Sequence, residues 1–285
     1  HVDWMLQYGA TRVEIGVQSL HERVYDIVNR GHNLADVVES FQIAKDAGYK
    51  IVAHMMPGLP TMTPETDIQD FKQLFDDSDL KPDMLKIYPS LVLENTPMYD
   101  DYKNQNYKPY SDEDMIRVLT EVKKNIPKWV RIMRVQREIS SSEIIAGPKS
   151  GNLRQFVLKN LEKDGYSCKC IRCREAGLSK KQTRPEKLKL DRIDYESSGG
   201  DEVFLSYVDS DDSIYGFLRL RNPSAKAHRP EVTPDSCIVR ELHVYGKSLK
   251  IGEREEDEIQ HSGLGKKLMS AAETITKENF DSNKL

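Results

Sequence analysis

The chain has 285 residues, of which 38% are apolar, 31% charged and 8% aromatic, a balance that supports packed cores and excludes global disorder. The length suits two domains, or one large α/β domain with an appendage; no run of 18 apolar residues occurs, so no transmembrane helix is expected, and no basic-then-apolar stretch opens the sequence as given. The net charge of −4 hides an asymmetry: Lys123 to Arg192 holds 19 basic and 7 acidic residues, a local excess of twelve positive charges, while the rest sums to −16.

The opening His1-Val-Asp-Trp-Met-Leu-Gln7 reads as the middle of a helix, so the sequence is expected to be a fragment, cut at least on the left. Thr11-Arg-Val-Glu-Ile-Gly-Val17 is a short β-rich run. Asn33 then caps a helix to about Ala47, with Leu34, Val37, Val38, Phe41 and Ala44 at helical spacing and Gly48 as its stop. Lys50 to Met56 is the next strand. Thr63 caps a helix with Pro64 at its first position and Ile68, Phe71, Leu74 and Phe75 on the buried face. Met84 to Tyr88 is a third strand, and Ser111 opens a helix carrying Met115, Val118, Leu119 and Val122. Trp129 to Val135 is a fourth strand. Strand–helix units of about 35 residues point to a parallel sheet, part of a barrel or an open sheet. In such folds the functional loops follow the strand C-termini: here Gly16-Val-Gln-Ser19, Met56-Pro-Gly-Leu-Pro60 and Tyr88-Pro-Ser90.

Residues 136 to 195 are basic and weakly periodic, with one helix near Asn152–Asp164. Two readings of the charge stand: a polyanion partner, or a basic strip paired with acidic neighbours. Cys168-Lys-Cys-Ile-Arg-Cys173 gathers three thiols in six residues, too clustered for a secreted disulfide framework, so a reducing cytoplasm is the default. Three thiolates suit a tetrahedral Zn²⁺, with Cys237, a His or water as fourth ligand; an iron–sulfur cluster is the alternative occupant, and three reduced cysteines in a loop the plain one. After Ser197-Ser-Gly-Gly200, Val203–Val208 and Ile214–Leu220 form a hairpin, Cys237–Val244 a third strand, and residues 263–278 a helix. Another strand is expected to begin at Asn283-Lys-Leu285. That last helix is opened by Gln260-His-Ser-Gly-Leu-Gly-Lys-Lys267, whose glycines let backbone amides approach a diphosphate, unless they are an ordinary glycine-rich helix entry.

The order hairpin, long strand with E-L-H-V, loop, Q-x-x-G-x-G-K and helix resembles the GCN5-related N-acetyltransferases. Val13-Glu-Ile-Gly-Val-Gln-Ser19 and His54-Met-Met-Pro-Gly-Leu-Pro60 resemble the later strands of radical S-adenosylmethionine (SAM) enzymes. Their C-x-x-x-C-x-x-C type cluster motif is absent from this sequence. Together with N-R-G-H, R-V-Q-R-E-I, G-N-L-R, F-L-S-Y, L-R-L-R and I-V-R-E-L-H-V-Y-G, the chain resembles the catalytic subunits of Elongator over essentially its whole length, in an archaeal or bacterial form.

The resemblance implies an α/β chain in three parts. Residues 1–137 would be the C-terminal half of a radical-SAM-like βα barrel, 138–196 a basic cysteine-containing zinc linker, and 197–285 an acetyltransferase-like domain truncated at its C-terminus. It implies a tRNA-modifying enzyme that makes 5-carboxymethyluridine at the wobble position, with acetyl-CoA as carbon donor and SAM on a [4Fe–4S] cluster as radical source. The cluster ligands would precede His1 and the rest of the acetyltransferase would follow Leu285, so this fragment alone should be inactive. A protein lysine acetyltransferase of histone type is the alternative. Acetyl-CoA contacts fall on Glu241, Leu242, His243 and Val244, and the pyrophosphate loop on Gly263, Leu264, Gly265, Lys266 and Lys267, mostly through backbone amides. Glu241 and His243 are the candidates for proton transfer. The metal set is Cys168, Cys170 and Cys173. The basic stretch 123–192 would meet tRNA phosphates; the protein would be cytoplasmic, off the membrane, and either stand-alone or assembled with Elongator-type partners.

Overall fold

Residues 1–136, 138–178, 187–245 and 263–285 are described by a computed structural model of the chain. In chain order they form α1 (Val2–Gln7), β1 (Arg12–Gln18), α2 (Glu22–Ile27), α3 (Leu34–Asp46), β2 (Lys50–Met55), α4 (Pro64–Asp76) and β3 (Met84–Ile87). Next come β4 (Val92–Leu93), α5 (Pro97–Lys103), α6 (Asp112–Lys124), β5 (Arg131–Arg134), β6 (Ile144–Ala146), α7 (Leu153–Lys163) and α8 (Ile171–Arg174). Strands β7 (Lys189–Ser197), β8 (Gly200–Val208), β9 (Ile214–Asn222) and β10 (Ile238–Val244) and helix α9 (Leu264–Phe280) complete it. Two compact units result: one of residues 14–39 and 51–170, the other of 1–13, 40–50 and 171–285.

The first unit holds a sheet of order β1-β2-β3-β5. Successive strands are neighbours, and β2–β3 and β3–β5 run parallel, the arrangement of consecutive βα units in a barrel wall. Its helices begin where local chemistry says they should. Thr63 and Ser111 each form a capping box with the residue three further on, and the Asn33 and Asp36 side chains each accept from the other's backbone N–H. Ile51, Ala53, Met55, Leu85, Ile87 and Ile132 of the strands, with Phe71, Leu74, Val118 and Leu119 of the helices, are all but fully buried.

The second unit is built on an antiparallel sheet of order β10-β9-β8-β7. Helix α9 sets Leu268, Ala272 and Ile275 against Val203, Leu205, Leu218, Leu220 and Cys237. Residues 189–197, read in sequence as part of the basic segment, are strand β7, paired along its full length with β8. The two join through Ser198 and Gly199, both at positive φ (51° and 71°), the pair of left-handed residues a two-residue hairpin takes. Gly200 follows because a Cβ there would lie 2.6 Å from the Asn222 carbonyl oxygen.

Buried charge pins this sheet to the end of α3. Arg221, fully buried, donates through Nε and Nη2 to Asp46 Oδ1 (2.8 and 2.6 Å) and through Nη1 to Glu202 Oε1 (3.0 Å). Arg240 donates to Glu202 Oε2 at 2.8 Å and to the Tyr49 carbonyl at 2.8 Å. Asp46 also accepts from the Ser224 N–H and hydroxyl. Charges out of water are tolerable only when paired and hydrogen-bonded in this way.

Candidate functional site

In the first unit the strand C-termini carry loops held by two acids of α4. The sequence pattern put Ile68, Phe71, Leu74 and Phe75 on the buried face of this helix. The structure adds Asp67 and Asp70, both nearly fully buried, and leaves Ile68 half-buried. Asp70 Oδ2 accepts from the Ser19 hydroxyl (2.8 Å) and the Leu20 N–H (2.9 Å), and Oδ1 lies 3.0 Å from His21 Nε2, which fixes the loop after β1. Asp67 Oδ2 accepts from the Gly58 N–H (2.8 Å) and the Tyr110 hydroxyl (2.6 Å), while Tyr107 donates to the Gly58 carbonyl (2.6 Å), which fixes the loop after β2. Burial outweighs these donors and pushes the Asp67 carboxyl up to about 7; Asp70 is raised for the same reason.

Three half-exposed ionisable side chains, one from each of three strands, meet on this sheet. Glu14 Oε2 is 2.8 Å from His54 Nε2 and 2.5 Å from Lys86 Nζ. His54 and Lys86 are register partners on β2 and β3, and His54 stacks edge-on against Tyr88. Burial raises the Glu14 carboxyl, the Lys86 and His54 hydrogen bonds lower it, and the net shift is downward, so the cluster carries an ionised carboxylate between two donors. In the same unit Arg30 donates to the Gly16 carbonyl at 2.8 Å.

The three cysteines come together. The sulfur atoms of Cys168, Cys170 and Cys173 lie within 4.8 Å of one another, with Cys168 and Cys170 buried and Cys173 exposed. Tetrahedral Zn²⁺ with Zn–S bonds of about 2.3 Å needs sulfurs about 3.8 Å apart, so this donor set fits a soft divalent ion with a small adjustment. Lys123, read in sequence as part of the basic stretch, is buried at the end of α6 with Nζ 3.4 Å from Cys168 Sγ. Arg174 is buried as well and paired with Asp212 at 2.7 Å. Cys237 is not among the gathered thiols. It sits in the apolar layer beneath α9, where burial pushes its thiol up.

The predicted acyl-carrier residues lie on β10 and at the start of α9. A bulge at Arg240 turns its side chain into the buried charge cluster, and the following residues resume register with β9. Glu241 is bound to Arg219 Nε at 2.9 Å, and the Arg219 guanidinium lies over the Phe204 and Phe217 rings. Leu242 and His243 are exposed and Val244 half-buried, with the His243 ring 4.4 Å from that of Tyr245. Strand β10 is at the sheet edge, and the returning chain pairs with its start through the parallel bridge Ser236–Lys284. Gly263 is the N-cap of α9, left-handed at φ +77°; among the described residues no side chain caps the helix and none lies within 4 Å of where its Cβ would be. Leu264 is buried against Ala176 and Tyr215, so only its backbone is presented; Lys266 and Lys267 are exposed. Gln260, His261 and Ser262 lie outside the described residues.

Comparison with known proteins places this geometry. A model of the radical SAM superfamily matches residues 1–74 and one of the radical SAM C-terminal domain residues 82–163. The tRNA uridine(34) acetyltransferase of Methanocaldococcus jannaschii is 44% identical over 290 residues, covering all of this chain and 53% of the relative. Elongator complex protein 3 of Homo sapiens is 43% identical over 288 residues, with the same coverage. The structure of the archaeal Methanocaldococcus infernus Elp3 with an N-terminal deletion (1–46) superposes with a TM-score of 0.91 at 43% identity, over 99% of this chain and 67% of that one.

The chain belongs to the Elongator complex protein 3 family. It spans about half the length of the relatives named above. In this Elongator complex protein 3 homologue the radical SAM matches include β1, β2 and β3 with their loops, the Glu14–His54–Lys86 cluster, and both α4 carboxylates. Sequence reading located those loops but missed the carboxylates. The signal for them was present: two acids three apart, in line with Phe71 and Leu74 on a helix face that is otherwise apolar.

Proposed function

We propose that this chain takes part in Elongator-type tRNA modification, the formation of 5-carboxymethyluridine at the wobble position from acetyl-CoA by radical SAM chemistry. The observation that supports it most is similarity along the whole chain, at 43–44% identity, to proteins named tRNA uridine(34) acetyltransferase and Elongator complex protein 3. When bound, SAM and an iron–sulfur cluster supply the one-electron chemistry that activates a carbon–hydrogen bond. The residues of this chain position and exclude. The loops gripped by Asp67 and Asp70 form the rim of the barrel wall, and Glu14, His54 and Lys86 present fixed polar groups on its sheet.

On this reading residues 197–285 form an acetyltransferase-like fold. Its supports are the antiparallel sheet, the edge strand β10, the helix α9 and the parallel return at Lys284. The α9 amides after Gly263 would hold the diphosphate of acetyl-CoA, and the backbone of Glu241 to Val244 its pantetheine arm. Of the two proton-transfer candidates, Glu241 is tied to Arg219 and His243 is the more exposed. Cys168, Cys170 and Cys173 would hold Zn²⁺. The basic residues that remain on the surface after Lys123 and Arg174 are set aside would meet tRNA phosphates. Among the described residues no helix is long and apolar enough to cross a membrane, and the reading places the reaction in the cytoplasm.

The test is a chimera in which this chain replaces the matching segment of the Methanocaldococcus infernus relative. Supplied with tRNA, SAM, reductant and methyl-labelled acetyl-CoA, it should place label in wobble uridine, read by nucleoside mass spectrometry. Labelled protein lysine without labelled uridine would reject the proposal in favour of a protein acetyltransferase.

A further inference from the structure

Two motifs separate in sequence meet at one cavity of the first unit. R-V-Q-R-E-I begins at Arg134 (its Arg137 lies outside the described residues), and G-N-L-R ends at Arg154. The end of β5 contributes Arg134, Gln136 and Glu138, and the start of α7 contributes Asn152, Arg154 and Gln155, to the lining of an open cavity of about 280 Å³. That is just below the range of about 300–1,000 Å³ typical of pockets that enclose a whole ligand, so the cavity suits one group of a larger molecule.

The chemistry of the lining is specific. Two arginines and one glutamate line it, and three carboxamide side chains supply further donors and acceptors. Arg154 is steadied by a hydrogen bond from Nη2 to the Ile132 carbonyl at 3.3 Å. Arg134 is half-exposed and reaches Glu138 at 3.5 Å, but that carboxylate is 88% exposed, and so solvated a pair exchanges readily for a better anion. Planar guanidinium forks match phosphate oxygens, and carboxamides match ribose hydroxyls and base edges. The cavity is also well placed. Arg134 is the register partner of Lys86, which is the partner of His54. One strand spacing, about 5 Å, therefore separates its backbone from that of Lys86 and two, about 10 Å, from that of His54, distances a nucleotide or two spans.

We propose that this cavity binds a backbone phosphodiester of single-stranded RNA, with Arg134 and Arg154 as its cationic ligands. The proposal rests on the tRNA reading above and names the anchor that sets a neighbouring nucleotide over the sheet. A single-stranded segment is implied because a base must leave its stack to be worked on.

The test is fluorescence anisotropy of the 285-residue chain with a short, labelled, uridine-containing single-stranded RNA, titrated at several salt concentrations. Arg134→Gln and Arg154→Gln should each weaken binding about tenfold and shallow the log K against log salt slope by about 0.7. Glu138→Gln should tighten binding a few-fold, an effect of opposite sign that damage to the fold would not produce. Lys159→Gln, on the exposed face of α7, should change affinity less than twofold. RNA binding by the wild-type chain that both arginine variants match would overturn the anchor alone. A wild-type chain that binds no RNA would overturn the tRNA reading along with it.

Discussion

Replacing Gly265 by alanine separates approach of a ligand from stability of the fold. Gly265 lies in the first turn of α9, and among the described residues a Cβ there would meet only Val244 Cγ2, at an ordinary 3.8 Å. None of the described residues clashes with the methyl group. Alanine lowers the entropy lost on forming the helix, so the Gly265→Ala chain should be more stable by about 0.5–1 kcal/mol, somewhat less this close to the helix end. If the α9 amides cradle a diphosphate, the same methyl stands where a phosphate oxygen must come within hydrogen-bonding distance of the backbone. Losing one charged hydrogen bond costs about 1.5–3 kcal/mol, which is roughly a ten- to hundredfold loss of acetyl-CoA affinity. Gly263→Ala is the poorer probe, because its φ of +77° adds a strain of about 1–2 kcal/mol that confuses folding with binding. The assay is calorimetric titration of acetyl-CoA into the chimera, with urea unfolding of the same variant. A variant that is more stable and binds acetyl-CoA with unchanged affinity would refute the pyrophosphate-loop reasoning.

The remaining predictions concern stability and metal. Asp67 binds its proton up to about pH 7 in the folded chain against 3.8 ordinarily, so stability should fall as pH rises from about 4 to 7 and level off above. Asp67→Asn should make that fall shallower in urea unfolding at pH 5 and pH 7.5, with Asp70 keeping part of it; an unchanged fall would contradict the assignment. Arg221→Met should cost about 3–5 kcal/mol because it strands Asp46 and Glu202 in the interior, and a loss under 1 kcal/mol would show the cluster to be dispensable. The chain should carry about one zinc by elemental analysis. Cys170→Ser should lose most of it and Cys237→Ala none, and the reverse pattern would move the site.

Elements with a local cause were legible in the sequence. Helices α4 and α6 and the turn at Gly48 follow from caps, prolines and a glycine at φ +92°, all chemistry within four residues. Strand β7 was not legible, because Lys189-Leu-Asp-Arg-Ile-Asp-Tyr-Glu-Ser197 is dominated by the charge that guards a sheet edge, with only Ile193 and Tyr195 as apolar members of its alternating, less exposed face. The cysteine cluster was visible because its members lie within six consecutive residues. Lys123 was miscounted as surface charge because its partner Cys168 is 45 residues away. The Glu14–His54–Lys86 meeting depends on the register of β2 against β3, which no local signal encodes.

The α4 acids show why burying charge in this unit is worth its cost. An apolar pair at Asp67 and Asp70 would pack with less desolvation penalty, yet it would leave the Gly58 and Leu20 amides without the acceptors they have. Those amides belong to the loops after β2 and β1, which the sheet alone leaves without partners beyond the strand ends. Two carboxylates one helical turn apart, on a helix packed by Phe71 and Leu74, therefore set the spacing of both loops at once. The raised pKa of Asp67 is the mark of that arrangement: the group is kept where its ionised form is disfavoured because the hydrogen bonds it accepts hold the loops at the strand ends in one geometry.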